Sequence, residues 1–347
     1  MKRHLLFLAA LLIVNLAASA QKKFSVYAVG FYNQENLFDT CHDEGKKDYE
    51  YLPNKGWNGM KYTNKLRNMS KALADMGTDV LPNVGCAFIG LSEVENHKVL
   101  DALVDQAPLK ARNMKYVHIE GPDRRGIDCA LLYNPSLFSV KNVKLLPYVQ
   151  ELAKDSTFFT RGFLTVRGEM AGDDVAVIVC HWPSRFSGPF YRESAARQVK
   201  VIKDSLLNVN QEMKIFVMGD MNDDPVNKSM HVYLQAKPEI SQVGAGDMYN
   251  PWYNVLAKEG KGTLFYSGNW NLFDQIVITP NLLNKDAKKK DYSSLKYWKS
   301  HIFRRDYLIQ QEGQYKGAPL RTTAGGRWLN GYSDHLPVVM YLVKEKK

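Results

Sequence analysis

Met218-Gly219-Asp220-Met221-Asn222-Asp223-Asp224 closes the apolar run 215–218 with a cluster of acids and one amide. An unbroken apolar run of this length reads as a strand covered on both faces. A carboxylate at the end of such a strand is costly unless it is paired, hydrogen-bonded or set against a cation. On extended backbone Asp220 and Asn222, two apart, face the same way and offer a base and a neutral donor to one place. The competing reading is a polar turn, and Asp223-Asp224-Pro225 has the composition of one.

Working outward, the same junction of apolar strand and polar end recurs. Upstream, His181-Trp182-Pro183-Ser184-Arg185 closes the run 175–180; His181 can donate to an anionic oxygen, and Arg185 can hold a phosphate through two parallel bonds. Asp128 opens the strand 128–133 after Arg124 and Arg125, and reads equally as a loop acid or an active-site acid. Glu93 is the first acid after the run 86–91, whereas Glu95 and Asn96 read as caps of the next helix. Nearer the start, Asn33 and Glu35 in the stretch 31–39 either face a cation or merely cap a strand-to-loop junction. Downstream, Asp274-Gln275 opens a strand to Ile278, and Ser333-Asp334-His335 precedes the run 336–339. A carboxylate beside an imidazole raises its basicity and fixes its tautomer. Asp274 is placed to do this for His335 if the two strands are neighbours.

Strand candidates fall at 24–32, 86–92, 128–133, 175–181, 214–219, 274–279 and 336–343, and two amphipathic helices at 60–76 and 191–207. Strands alternate with helices but also come in strand-only groups, which argues for sheets covered by helices. No repeat or Pro/Ser-rich linker interrupts the pattern. The 347 residues are 45% hydrophobic and 24% charged, which excludes wholesale disorder and collagen-like or low-complexity scaffolds. The formal charge of +10 suits an anionic partner. Residues 1–20 have the form of a secretory signal: basic Lys2-Arg3-His4, an apolar stretch to Leu16, and Ala18-Ser19-Ala20 at the cleavage site. This predicts export to a periplasm or the exterior, with no stable membrane anchor. Cys86, Cys129 and Cys180 lie in apolar runs and Cys41 in a polar loop; buried free thiols are expected rather than a disulfide framework.

Taken in order, Asn33, Glu93, His181, Gly219-Asp220-Met221-Asn222, Asp274 and Ser333-Asp334-His335 resemble the landmarks of the endonuclease/exonuclease/phosphatase (DNase I-like) superfamily, above all its secreted bacterial members. The resemblance implies an α+β, four-layer α/β/β/α sandwich, with two mixed sheets packed face to face and helices outside. It implies one catalytic domain over 21–347, its extra length in loops at 39–60 and 286–330. It further implies catalytic roles for His181, Asp220, Asn222, Asp274 and His335. Glu93 would be a metal ligand, with Asn33, Glu35 and Asp334 as further ligand candidates, for Mg²⁺ ahead of Mn²⁺ or Ca²⁺. Arg185 is a substrate-phosphate candidate, and Asp128 a residue that orients His181. Tyr32, Trp182 and Trp270 read either as core or as substrate-stacking aromatics, and Trp270 is taken as a substrate contact. The function so implied is a monomeric, secreted, metal-dependent nuclease on DNA or RNA. The alternatives are a phosphatase or phosphodiesterase on lipid head groups or small phosphate esters, and, from a different class, a non-catalytic binding module.

Overall fold

The computed structural model describes residues 23–151, 158–286 and 288–346. The secretory signal expected at 1–20 lies outside the described residues. The strands in chain order are β1 (Phe24–Leu37), β2 (Phe88–Val94), β3 (Lys115–His118), β4 (Asp128–Tyr133), β5 (Phe138–Leu146), β6 (Phe163–Met170), β7 (Asp173–His181) and β8 (Lys214–Asp220). They continue with β9 (Ala236–Lys237), β10 (Met248–Tyr249), β11 (Leu264–Tyr266), β12 (Asn269–Asn271), β13 (Asp274–Ile278), β14 (Lys296–Ile302), β15 (Thr323–Ala324), β16 (Arg327–Trp328) and β17 (Val338–Glu345). The helices are α1 (Gly59–Asp75), α2 (His97–Val104), α3 (Ala107–Ala111), α4 (Pro189–Val209) and α5 (Trp252–Ala257).

Six strands form one sheet in the order β14-β17-β1-β2-β4-β3, and seven form another in the order β5-β6-β7-β8-β13-β10-β9. Both are mixed: β1 pairs parallel with β2 and antiparallel with β17, and β8 pairs parallel with β7 and antiparallel with β13. Alternation along each strand sorts the side chains. Val29 and Phe31 of β1 meet Phe216 and Met218 of β8 in the core between the sheets. Ala28 and Tyr32 face outward to Leu66, Met69 and Leu73 of α1, while Ile215 and Val217 face outward to Ala195 and Val199 of α4. The result is the four-layer α/β/β/α sandwich, and it explains why these strands are apolar without interruption: each is covered twice.

The extension at 286–330 is more than loop. Residues 296–302 form β14 at the edge of the first sheet, and 323–328 form a small hairpin. The expected neighbouring of Asp274 and His335 also takes a different form. Asp274 opens β13 of the second sheet, whereas His335 precedes β17 of the first, so the two meet across the sandwich. All four cysteines are free; Cys86, Cys129 and Cys180 are buried and Cys41 is exposed. No helix among the described residues is long and apolar enough to cross a membrane.

Candidate active site

Register gathers the second sheet's contribution. His181 at the end of β7 pairs with Asp220 at the end of β8, and Asp220 pairs with Asp274 at the start of β13. Three adjacent strands thus set a histidine and two acids in one row. Gly219 permits the close approach: a Cβ there would collide with the Cys180 carbonyl of β7. The first sheet contributes through bulges. The β1–β2 register shifts between Asn33 and Leu37, and the β2–β4 register between Ser92 and Val94. Glu35, Asn36, Glu93 and Asn222 all hold left-handed backbone, with φ of 45°, 55°, 59° and 49°. Such conformations are uncommon outside glycine and cluster where side chains are re-aimed for function.

Asp220 is the centre. Its Oδ2 accepts from Asn33 Nδ2 at 3.0 Å, and its Oδ1 from the Asn222 amide at 2.9 Å. Nε2 of His181 lies 3.7 Å from Oδ2, and Nε2 of His335 lies 3.8 Å from it. His181 Nε2 is also 3.8 Å from Glu93 Oε1. None of these is a direct hydrogen bond; gaps of this size suit one shared oxygen. Asp274 Oδ2 is 2.7 Å from His335 Nδ1, and Ser333 Oγ accepts from the His335 amide at 3.1 Å while donating to the Asn33 carbonyl at 2.7 Å.

Burial pushes the Asp220 carboxyl up to about 6, against the pull of His335. Burial works against a charge on His335, but Asp274, Asp334 and Asp220 outweigh it and hold this imidazole well above its ordinary range. His181 moves the other way, first by burial and then by Arg161, Arg125 and His335. The two histidines therefore differ at neutral pH: His335 is charged and His181 neutral.

A second cluster adjoins this centre. Glu35 Oε2 accepts from the Thr322 amide at 2.6 Å, and Arg321 lies 3.4 Å from Glu35 Oε1 and 3.1 Å from Asp334 Oδ2. Lys65 reaches in from α1, wholly buried, with Nζ donating to Thr322 Oγ1 and the Tyr332 carbonyl, each at 2.5 Å. Burial, then Asp334, raise the Glu35 carboxyl to about 7, and burial lowers Lys65 to about 8. Glu93, Glu35, Asp334 and the Asn33 amide oxygen are hard donors that fit a divalent cation by chemistry. Among the described residues, however, no three His, Cys, Asp or Glu side chains already stand in metal-holding geometry. The positive group between Glu35 and Asp334 is the Arg321 guanidinium.

The remaining expected residues lie elsewhere. Asp128 does not orient His181: its carboxylate is 3.0 Å from His118 Nε2 and accepts from the Gly121 amide at 3.0 Å. Arg185 is committed to the Asn222 carbonyl, Asn271, Asp224 and Asn227, with its guanidinium over Phe273. It ties three loops together instead of presenting a free fork. Trp270 packs on Phe265 and lines a concavity of about 500 Å³ across the β11–β12 hairpin from Asp334. Nothing in the sequence singles out Arg321 or Arg161, and Arg125 reads there only as a surface charge; for Lys65 the one available signal is its place in the apolar stripe Tyr62, Leu66, Met69.

Similar folds occur in solved structures. A Bacteroides thetaiotaomicron endonuclease/exonuclease/phosphatase family protein has a TM-score of 0.55 at 14% identity, over 93% of this chain and 97% of that one. A mannosyl-6-phosphatase of the same organism has a TM-score of 0.54 at 14% identity, over 91% and 99%. D. rerio TDP2, complexed with a single-strand DNA product, has a TM-score of 0.53 at 11% identity, over 92% and 99%. No curated protein matches the sequence. The family pattern described as "Endonuclease/Exonuclease/phosphatase family" matches residues 28–344, so the chain belongs to this family of hydrolases acting on phosphate esters.

Proposed function

We propose that the chain hydrolyses phosphate esters at the centre built on Asp220. The observation that carries this reading is the convergence of Asn33, His181 and His335 on one buried carboxylate, with His335 kept charged by Asp274. Asp220, ionised above about pH 6, takes the proton of the attacking water. The water oxygen bonds to phosphorus, the ester P–O bond breaks, and the proton that Asp220 has taken passes through solvent to the leaving oxygen. His335, as imidazolium, donates to a phosphoryl oxygen; neutral His181 and the amide of Asn222 add uncharged donors. Asn222 already spends one amide hydrogen on the Trp182 carbonyl, at 2.9 Å, which fixes its direction. A divalent cation, Mg²⁺ first, would be held by Glu93 with Asn33, Glu35 and Asp334 and would neutralise phosphoryl charge.

Two substrate classes have support. Nucleic acid is favoured by the net charge of +10 and by the half-exposed Arg125 beside Glu93. Small phosphate esters are favoured by a concavity of about 560 Å³ that opens beside Asp334 and Arg321. The signal-like start of the chain supports export. The test is cleavage of plasmid DNA, single-stranded RNA, sphingomyelin and a generic chromogenic diester by the purified protein, with Mg²⁺ and after thorough chelation. Turnover that chelation removes supports the reading; turnover of none of them contradicts it.

A further inference from the structure

Two tight hairpins face each other across the 560 Å³ concavity. One is β11–β12, whose turn residues Ser267 and Gly268 have φ of 49° and 81°; the other is β15–β16, whose Gly325 and Gly326 have φ of 55° and 75°. Consecutive positive φ values are the mark of two-residue turns that hold their strands rigidly. Both walls are anchored on the centre already described. Leu264 of the first hairpin bridges directly to His335, and the stretch leading to the second is pinned through Arg321 and Thr322 to Glu35. Trp328 is further held edge-on against Trp57. The concavity is thus built onto the reacting centre, with Asp334 and Arg321 at its base.

Its lining is unusual for a surface. Tyr266 is 68% exposed and Tyr315 51% exposed, and neither ring has an aromatic or hydrogen-bonding partner among the described residues. Ser267 and Thr323 add neutral hydroxyls. Its purely apolar side chains are small or aromatic, Phe265, Ala318, Pro319 and Ala324, and no Leu, Ile, Val or Met provides a long aliphatic wall for an acyl chain. Arg321 is its one Lys or Arg, which is too few to track a polynucleotide backbone. Open tyrosine faces with scattered hydroxyls match a polyhydroxylated ring: C–H faces lie on the aromatic, and hydroxyls exchange hydrogen bonds.

We propose that this concavity is the subsite for a sugar ring carrying the scissile phosphate, with Tyr266 and Tyr315 as its specificity-determining side chains. The inference rests on the phosphoesterase reading above and adds the part of the substrate that the centre itself does not touch. A sugar phosphate and a nucleotide both bring such a ring.

The experiment measures inhibition of bis(p-nitrophenyl) phosphate turnover by a hexose 6-phosphate, a ribonucleoside 5′-monophosphate and ringless glycerol 3-phosphate. The wild type should bind at least one ring compound about tenfold more tightly than glycerol phosphate, a difference of about 1.4 kcal/mol. Which ring compound wins identifies the source of the sugar. Tyr266→Ala and Tyr315→Ala should each remove most of that difference by raising the inhibition constant of the ring compound, while that of glycerol phosphate stays put. Both side chains are exposed, so folding is not at risk. Equal inhibition by all three compounds, no inhibition by any, or a ring preference that survives both substitutions overturns the proposal. Absence of chromogenic turnover in the wild type instead defeats the phosphoesterase reading beneath it.

Discussion

Asp220 is buried beside Asp274 and must still be ionised to accept a proton. Its carboxyl lies at about 6, above the ordinary aspartate value, so the folded protein binds this proton more tightly than the unfolded chain does. The sign follows: Asp220 favours the fold most at low pH, and that contribution is lost as pH rises through about 6. Catalysis runs the opposite way, because only the ionised form is a base. We therefore expect kcat/KM to climb through about pH 6, measured on a chromogenic ester across pH 4.5–8. Asp220→Asn should lower kcat by roughly 10²–10⁴-fold without lowering the thermal midpoint at pH 8. Arg321 makes a separate prediction. It holds Glu35 and Asp334, two of the oxygen donors a cation would need. Removing this like charge in Arg321→Ala should tighten Mn²⁺ binding, read by isothermal titration, by roughly three- to tenfold. An unchanged affinity would place the cation away from these two carboxylates.

At the scale of elements, Lys65 joins α1 to the 320–332 stretch through Thr322 and the Tyr332 carbonyl. Lys65→Met keeps the stem's volume but strips the cation from beside Glu35 and Asp334. Loss of the two buried hydrogen bonds that the Lys65 ammonium donates should cost roughly 1.5–3 kcal/mol, which urea unfolding should show. Why this element escaped the sequence is physical. A lysine on an amphipathic helix ordinarily marks the solvent face, so its place in the apolar stripe is a weak signal, and the packed structure shows Lys65 wholly buried. Arg321 sits in an irregular stretch with no periodicity to read. Central strands were legible because they are covered twice: 175–181 and 214–219 match β7 and β8 nearly to the residue. Edge strands were not. β5 has one buried residue, Phe138, and exposes Ser139, Lys141, Asn142 and Lys144, and β14 carries Lys296, Lys299 and His301, the charged pattern that keeps an edge from pairing further. The polar residues at strand ends were legible for the same reason as the strands, since an acid or amide after a buried run stands out. Asp128 shared that signature, yet it serves the His118 ring and the Gly121 turn. The pattern finds polar residues that need a partner but does not say which partner.

At the scale of the whole molecule, neither sheet owns the centre. β7, β8 and β13 bring His181, Asp220 and Asp274; β1, β2 and the approach to β17 bring Asn33, Glu93 and His335. The pairing of Asp274 with His335 and of Asn33 with Asp220 therefore exists only once the two sheets have packed through Phe31, Phe88, Phe216 and Met218. The central claim is that this junction hydrolyses phosphate esters with a charged His335. Its most direct test is cleavage of bis(p-nitrophenyl) phosphate with Mg²⁺ by the wild type and by His335→Ala, with circular dichroism confirming that both are folded. The wild type should turn over this ester and the variant should lose at least roughly 10²-fold; full turnover by folded His335→Ala would contradict the role of His335.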